Sequence, residues 1–326
     1  MSNNQPTITT TIQAARQGVA LADLSHWGLL KISGDDRLRY LHNQSTNDFQ
    51  KLQPGQGCDT VFVTSTARTI DLATAYITEN AVLVLISPNR HQQMLEWLDR
   101  FIFPMDRVEV TDISSENAIL TLIGPESDTL LAKLGVESSG STAYGSHQEL
   151  MLGEFKIRLA IGNGLALPGY TLIISITEAK QLRQTLTTAG AIPLDSQTWE
   201  QLRIEQGRPV PDLELTEDYN PLEAGLWQTI SLEKGCYIGQ ETIARLNTYK
   251  GVKQRLWGIR LQGSVQPGTV VTSEGTKVGK LTSFTNTDQG AFGLVYIRTK
   301  AGGVGLKVQV GEVEGEIVDV PFLSHE

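Results

Sequence analysis

Blocks with a helical apolar period alternate with blocks of period two along the 326-residue chain, the pattern of mixed helix and strand. Between 88 and 103, Met94, Leu95, Leu98, Phe101 and Ile102 fall on one helical face. Residues 61–65, 70–78 and 81–86 read as strands, the last two joined by a tight Glu79-Asn80 turn. Upstream, 21–34 reads as a turn and then a strand, and 34–43 as a helix with acids in its first turn. Downstream come strands at 108–110 and 118–123 and a short helix over 125–134 that opens on Pro125.

A second unit repeats this style. Strands fall within 149–161 and over 171–176, followed by a helix over 179–189. Another helix covers 195–204, capped by Asp195 or Ser196 and closed near Gly207. Pro209, Pro211 and Pro221 then hold an extended, irregular crossing. After about Gly251 short strands alternate with glycine turns at the spacing of a small barrel or sandwich. The expected fold class is therefore α+β: two mixed units with largely antiparallel sheets, since several connections are hairpin-short, and a C-terminal all-β barrel-like domain. Boundaries are expected at 1–145, 146–250 and 251–326, with the polar, Thr-rich residues 1–11 frayed and 135–147 a loop.

Composition narrows the function. The chain is 40% hydrophobic and 19% charged, as in an ordinary globular protein, and its length favours more than one core. A net charge of −9 and a pI near 5.2 argue against a surface built to neutralise phosphates, and no nucleic-acid partner is expected. Two cysteines, Cys58 and Cys236, suit a reducing compartment and cannot frame a disulfide scaffold. The five histidines lack metal-site spacing, so no resident metal is expected. The longest clean apolar run, 81–86, is strand length, and the first residues lack a signal-peptide pattern; a cytoplasmic protein with no membrane partner is expected. Neither Gly-x-x-x-x-Gly-Lys-Ser/Thr nor a Gly-x-Ser-x-Gly elbow is present.

Reactive chemistry concentrates in Lys234-Gly-Cys-Tyr-Ile-Gly-Gln-Glu241. If 234–236 is extended, the period of two places the Lys234 ammonium and the Cys236 thiol on one face and Tyr237 on the other. A nearby cation and the N–H groups of a following helix would both favour thiolate. On residue chemistry alone, a structural turn with a small thiol accounts for the same letters. Two further stretches stand out, Leu202-Arg-Ile-Glu-Gln-Gly207 and Asn220-Pro-Leu-Glu-Ala-Gly225.

The eight residues 234–241 resemble the KGC(Y/F)xGQE signature of YgfZ-type folate-binding proteins, relatives of the glycine-cleavage T-protein. The other two stretches resemble the RxExG and NPxEAGL elements of that superfamily. Asp23-Leu-Ser-His26 and Asn43-Gln-Ser-Thr-Asn-Asp48 resemble further landmarks, in which Ser25, His26 and Asp48 read mainly as loop-fixing residues. The resemblance implies domains around a central folate cleft and tetrahydrofolate as the cofactor. Glu205 is implied to grip the pterin, whose adjacent N–H donors suit one carboxylate. Arg203, Glu223, Tyr237, Gln240 and Asp71 are the further implied binding residues, and Cys236 with Lys234 the reactive pair. Glu223 could instead buttress its turn, and Arg203 could pair with either acid.

One departure matters. T-proteins resemble Gly-Gly-x-x-Asp-Asp at the strand after the first loop, whereas this chain has Ala67-Arg-Thr-Ile-Asp-Leu72. Leucine can neither accept a proton nor stabilise a cationic intermediate, so glycine-cleavage chemistry is not expected. The resemblance thus implies a folate-binding protein that assists iron–sulfur cluster assembly or repair, with client or assembly proteins as partners. A folate-dependent aminomethyl or C1 transferase and a non-catalytic folate-sensing scaffold are the alternatives.

Overall fold

A six-stranded sheet, a five-stranded sheet and a closed barrel organise the chain. The structure, a computed structural model, describes residues 8–136 and 143–325. Its helices are α1 (Ile8–Gln17), α2 (Arg37–Gln44), α3 (His91–Asp99), α4 (Ser127–Lys133), α5 (Ala179–Ala189), α6 (Ser196–Gln206) and α7 (Gln240–Thr248).

The six-stranded sheet comprises β1 (Ala20–Asp23), β7 (Asn117–Ile123), β8 (His147–Leu152), β9 (Phe155–Ile161), β10 (Gly169–Ser175) and β11 (Ile192–Leu194), in the order β11-β1-β7-β10-β9-β8. Only β1 and β11 pair in parallel; the other neighbours are antiparallel. Its core gathers Leu120, Leu122, Leu172 and Ile174 from the sheet with Leu130 and Leu131 of α4 and Leu182 and Leu186 of α5. The i, i+4 spacing of Leu182 and Leu186 gives α5 one apolar face, and Gly190 at φ 120° ends it.

The five-stranded sheet comprises β2 (Gly28–Ser33), β3 (Gly57–Val63), β4 (Thr69–Ile77), β5 (Ala81–Ile86) and β6 (Glu109–Asp112), in the order β3-β4-β5-β2-β6. The barrel closes through β12 (Gln254–Leu261), β13 (Val270–Ser273), β14 (Thr276–Thr287), β15 (Gly290–Arg298), β16 (Lys307–Val310) and β17 (Val313–Val318), in the order β12-β15-β14-β13-β16-β17. Ile259, Val271, Leu281, Val295, Ile297 and Ile317 fill its interior. The expected α+β class, with antiparallel sheets and a C-terminal barrel, is the fold found.

The chain divides into two compact units. One holds residues 1–42, 49–59 and 73–199; the other holds 43–48, 60–72 and 200–326 and includes the barrel. Two expectations are corrected. Residues 8–11 are helical rather than frayed, because α1 buries Ile12 and Ala15, while 1–7 lie outside the described residues. Part of the expected 135–147 loop, residues 137–142, also lies outside them, and His147 already belongs to β8.

Candidate functional site

Each residue that sequence reading assigned to the site lies in the second compact unit. Helix α6 starts where the Asp195 carboxylate accepts the Thr198 N–H at 2.8 Å, and it ends at Gly207, φ 89°. There the Arg208 N–H donates back to the Arg203 carbonyl at 2.9 Å, closing the helix in a left-handed turn. A side chain at 207 would meet Val320 at 2.4 Å, so glycine is required by space as well as by φ. On the last turn Glu205 is half-buried, and the Gln201 amide donates to its Oε1 at 2.9 Å.

Arg203 is fully buried, and every guanidinium N–H is committed inside the protein. Nε donates to Glu200 Oε2 at 2.8 Å and one Nη to Glu200 Oε1. That same Nη also donates to Ser283 Oγ at 2.9 Å. The other donates to Glu214 Oε2 at 3.2 Å and to the Arg208 carbonyl at 3.3 Å. Burial opposes the charge, but Glu214 and Glu200 outweigh it and hold the guanidinium pKa above its ordinary value. Glu214 is fully buried too, and accepts the Ser283 hydroxyl at 2.6 Å. Each guanidinium nitrogen of Arg203 is therefore engaged by protein acceptors.

Glu223 takes up the turn-buttressing arrangement that its sequence left open. Its carboxylate accepts the Asn220 N–H at 3.2 Å while its own N–H donates to Asn220 Oδ1 at 3.0 Å. This reciprocal pair buttresses the 220–225 turn. The side chain is 5% exposed, and burial pushes its carboxyl pKa up despite that N–H bond and the nearby Arg68 and Lys253.

The 231–239 loop has no regular structure of its own and is tied to the segment 43–48. Ser231 N–H donates to the Thr46 carbonyl and Ile238 N–H to the Asn43 carbonyl, both at 3.0 Å. The Lys234 ammonium is buried and donates to the Ser45 and Asn47 carbonyls, each at 2.7 Å. It also stands 4.5 Å from the centre of the Tyr237 ring. Cys236, by contrast, is exposed. The expected geometry is thus overturned: Lys234 shares a side with Tyr237 and is engaged by carbonyls, because a buried ammonium needs acceptors that a thiol supplies poorly.

Tyr237 packs on the cluster of Ala67, Leu222, Ile230, Ile243 and Val252, and burial raises its phenol pKa to about 12. Gly239, φ 81°, precedes α7, and a side chain there would meet the Thr64 carbonyl at 2.9 Å. Half-buried Gln240 opens α7.

Asp71 is fully buried in β4. Leu72 packs with Val61, Val63, Leu215, Ala224 and Leu226, so the position of the missing second acid belongs to a hydrophobic cluster. In the other unit, the Asp23 carboxylate accepts the Ser25 N–H and hydroxyl, at 3.0 and 2.6 Å, a loop-fixing arrangement. Burial lowers the His26 pKa, with Asp23 opposing. Sequence reading missed Glu200, Glu214 and Ser283, which sit in stretches without a motif, and missed the carbonyls that hold Lys234.

Residues 2–234 match the family model of the GCVT N-terminal domain. That match covers well over half of the chain, and the chain belongs to this family. A chloroplastic protein of Arabidopsis thaliana, provisionally named a transferase, is 46% identical over 318 residues, which cover 97% of this chain and 74% of the relative. An aminomethyltransferase of Shouchella clausii is 28% identical over 325 residues, covering 95% and 88%. Among solved structures, the glycine cleavage system aminomethyltransferase T of Bartonella henselae superposes with a TM-score of 0.85 at 18% identity, over 98% of this chain and 90% of that one. At that identity the likeness is one of fold.

Proposed function

We propose that the chain is a YgfZ-type, tetrahydrofolate-binding protein that assists iron–sulfur cluster assembly or repair in client proteins, with Cys236 as its reactive thiol. The observation that carries this reading is an exposed thiol on a loop whose backbone and lysine are fastened to 43–48. Glu205, Tyr237 and Gln240 are the residues proposed to hold the cofactor, and the chemistry of Glu205 supports it. A half-exposed carboxylate oriented by Gln201 offers the acceptor that a pterin N–H edge requires. When bound, tetrahydrofolate supplies nitrogens that carry one-carbon units. Asp71 belongs with the same reading as the remaining acid of the T-protein pair.

A cluster is cargo here, since iron–sulfur clusters take four protein ligands and one accessible thiol supplies one. Neither cysteine is in a disulfide among the described residues, which suits a reducing compartment such as the cytoplasm. Among those residues no helix is long and apolar enough to cross a membrane.

Hydrogen bonds to a charged carboxylate contribute roughly 1.5–3 kcal/mol, so Glu205→Ala should weaken tetrahydrofolate binding about tenfold or more. Calorimetry showing unchanged affinity in the folded variant would remove Glu205 from the site. A Cys236→Ser strain should lose client-enzyme activity at intact protein levels; retained activity would leave a folate-sensing scaffold. The second reading, an aminomethyl transferase, is favoured by the names of the relatives. Turnover with tetrahydrofolate, a glycine-cleavage H-protein and ammonia would establish it in place of the first.

A further inference from the structure

We infer that Glu214 and Ser283, acting through Arg203, are positioning residues for the Glu205 carboxylate, an inference that rests on the reading of Glu205 as the pterin contact. Residues two apart on a helix point about 200° apart, so fixing Arg203 inward commits Glu205 to the opposite side. Arg203 is fixed with unusual completeness. Its guanidinium is bounded by Glu200 on its own helix, Glu214 on the following crossing, and Ser283 on β14.

Those partners are themselves constrained. Ser283 Oγ donates to Glu214 Oε1 at 2.6 Å, and Glu214 Oε2 accepts the Val210 N–H at 3.2 Å. The Glu214 carbonyl accepts the Tyr296 hydroxyl at 2.9 Å, and the Tyr296 ring stacks on Tyr219 at 3.5 Å. The ladder between β14 and β15 shifts register between Leu281 and Ser283. Such a bulge re-aims a side chain at the expense of regular pairing, and here it presents Ser283 to the Arg203–Glu214 pair.

Stability alone is a poor reason for this arrangement. A buried ion pair is commonly no better than well-packed apolar side chains of the same volume, whereas it defines one geometry sharply. A carboxylate that must meet two adjacent donors needs placement to within about half an ångström. The network supplies that placement from the barrel, far along the chain from α6.

The test is a double-mutant cycle on the full chain, with tetrahydrofolate affinity read by calorimetry and stability by thermal melting. Ser283→Ala removes the bridging hydroxyl and should weaken binding severalfold. In a Glu205→Gln background the same substitution should change affinity no further. Glu214→Gln removes the charge facing Arg203 and leaves a single acceptor oxygen where Glu214 offers one to Ser283 and one to Val210; it should behave like Ser283→Ala and serves if that variant fails to fold. If Glu205→Gln weakens binding while Ser283→Ala and Glu214→Gln lower only the melting temperature, the network is structural and the inference is overturned. Additive effects of Ser283→Ala and Glu205→Gln would overturn it as well. Unchanged affinity in Glu205→Gln would instead sink the pterin contact itself.

Discussion

Cys236 and Leu72 decide what single side chains can do in this molecule. Exposure makes Cys236 the thiol an alkylating reagent should reach first, ahead of half-buried Cys58 in β3. The role of Lys234 can be read from the same experiment. If its ammonium is a pin, Lys234→Met should alter Cys236 labelling by iodoacetamide at neutral and alkaline pH alike. An effect seen at neutral pH and absent at alkaline pH would restore the charge-partner role that the structure denies it. Leu72 carries the opposite lesson. Restoring the T-protein acid with Leu72→Asp places a carboxylate among Val61, Val63, Leu215, Ala224 and Leu226. Leaving a charge unpaired there should cost roughly 4 kcal/mol in urea unfolding and bring no aminomethyl transfer. A stable, active variant would show that the leucine is an incidental substitution.

At the scale of elements, the β8–β9 hairpin carries a buried histidine with a defined pH signature. His147 is 7% exposed, its Nε2 lies 3.2 Å from the Gln56 carbonyl, and the Arg158 guanidinium donates to its Nδ1 at 3.0 Å. Burial, then Arg158, lower its pKa to about 4. The unfolded chain therefore takes up a proton below pH about 6.5 that the native protein refuses until about 4. Stability should fall as pH drops through that window, by at most roughly 3 kcal/mol from this residue, and level off below it. His147→Gln should remove that part of the slope in denaturant titrations at pH 7, 5.5 and 4; an unchanged slope would assign it elsewhere, and His325, also lowered to about 4 by burial, is the next group to examine. The elements themselves were legible where period and punctuation agreed. The 81–86 strand and the 179–189 helix are found at the expected bounds, and Asp195 and Gly207 punctuate α6 as their chemistry suggests. α1 was missed because its threonines look like loop residues, although Ile12 and Ala15 are buried. β1 and β11 were missed because four- and three-residue strands are too short to show a period. Within the site, motif residues were visible but their partners were not. Glu214 and Ser283 meet Arg203 only through long-range folding, and nothing in their local sequence marks them.

For the whole molecule, the course of the chain bears on how it unfolds. The two compact units are not successive segments: one takes residues 43–48 and 60–72 from within the span that otherwise builds the other. As a result α2, β3, β4 and α6 each contribute residues to both units, and none of these elements can form fully while one unit is unfolded. Backbone continuity through a strand or helix transmits order more strictly than a flexible linker does, since pairing and helix formation are cooperative along an element. The chain is therefore expected to unfold in one calorimetric transition despite its length, with calorimetric and van't Hoff enthalpies in agreement. Each proposed folate-contacting residue lies in the second unit, so ligand free energy enters there first. At about 100 times its dissociation constant, tetrahydrofolate should add about 2.7 kcal/mol. With coupled units that stabilisation should shift the single transition upward by a few degrees without splitting it. Two resolved transitions, with tetrahydrofolate moving only one, would show that the shared strands and helices melt locally and that the units are thermodynamically separate.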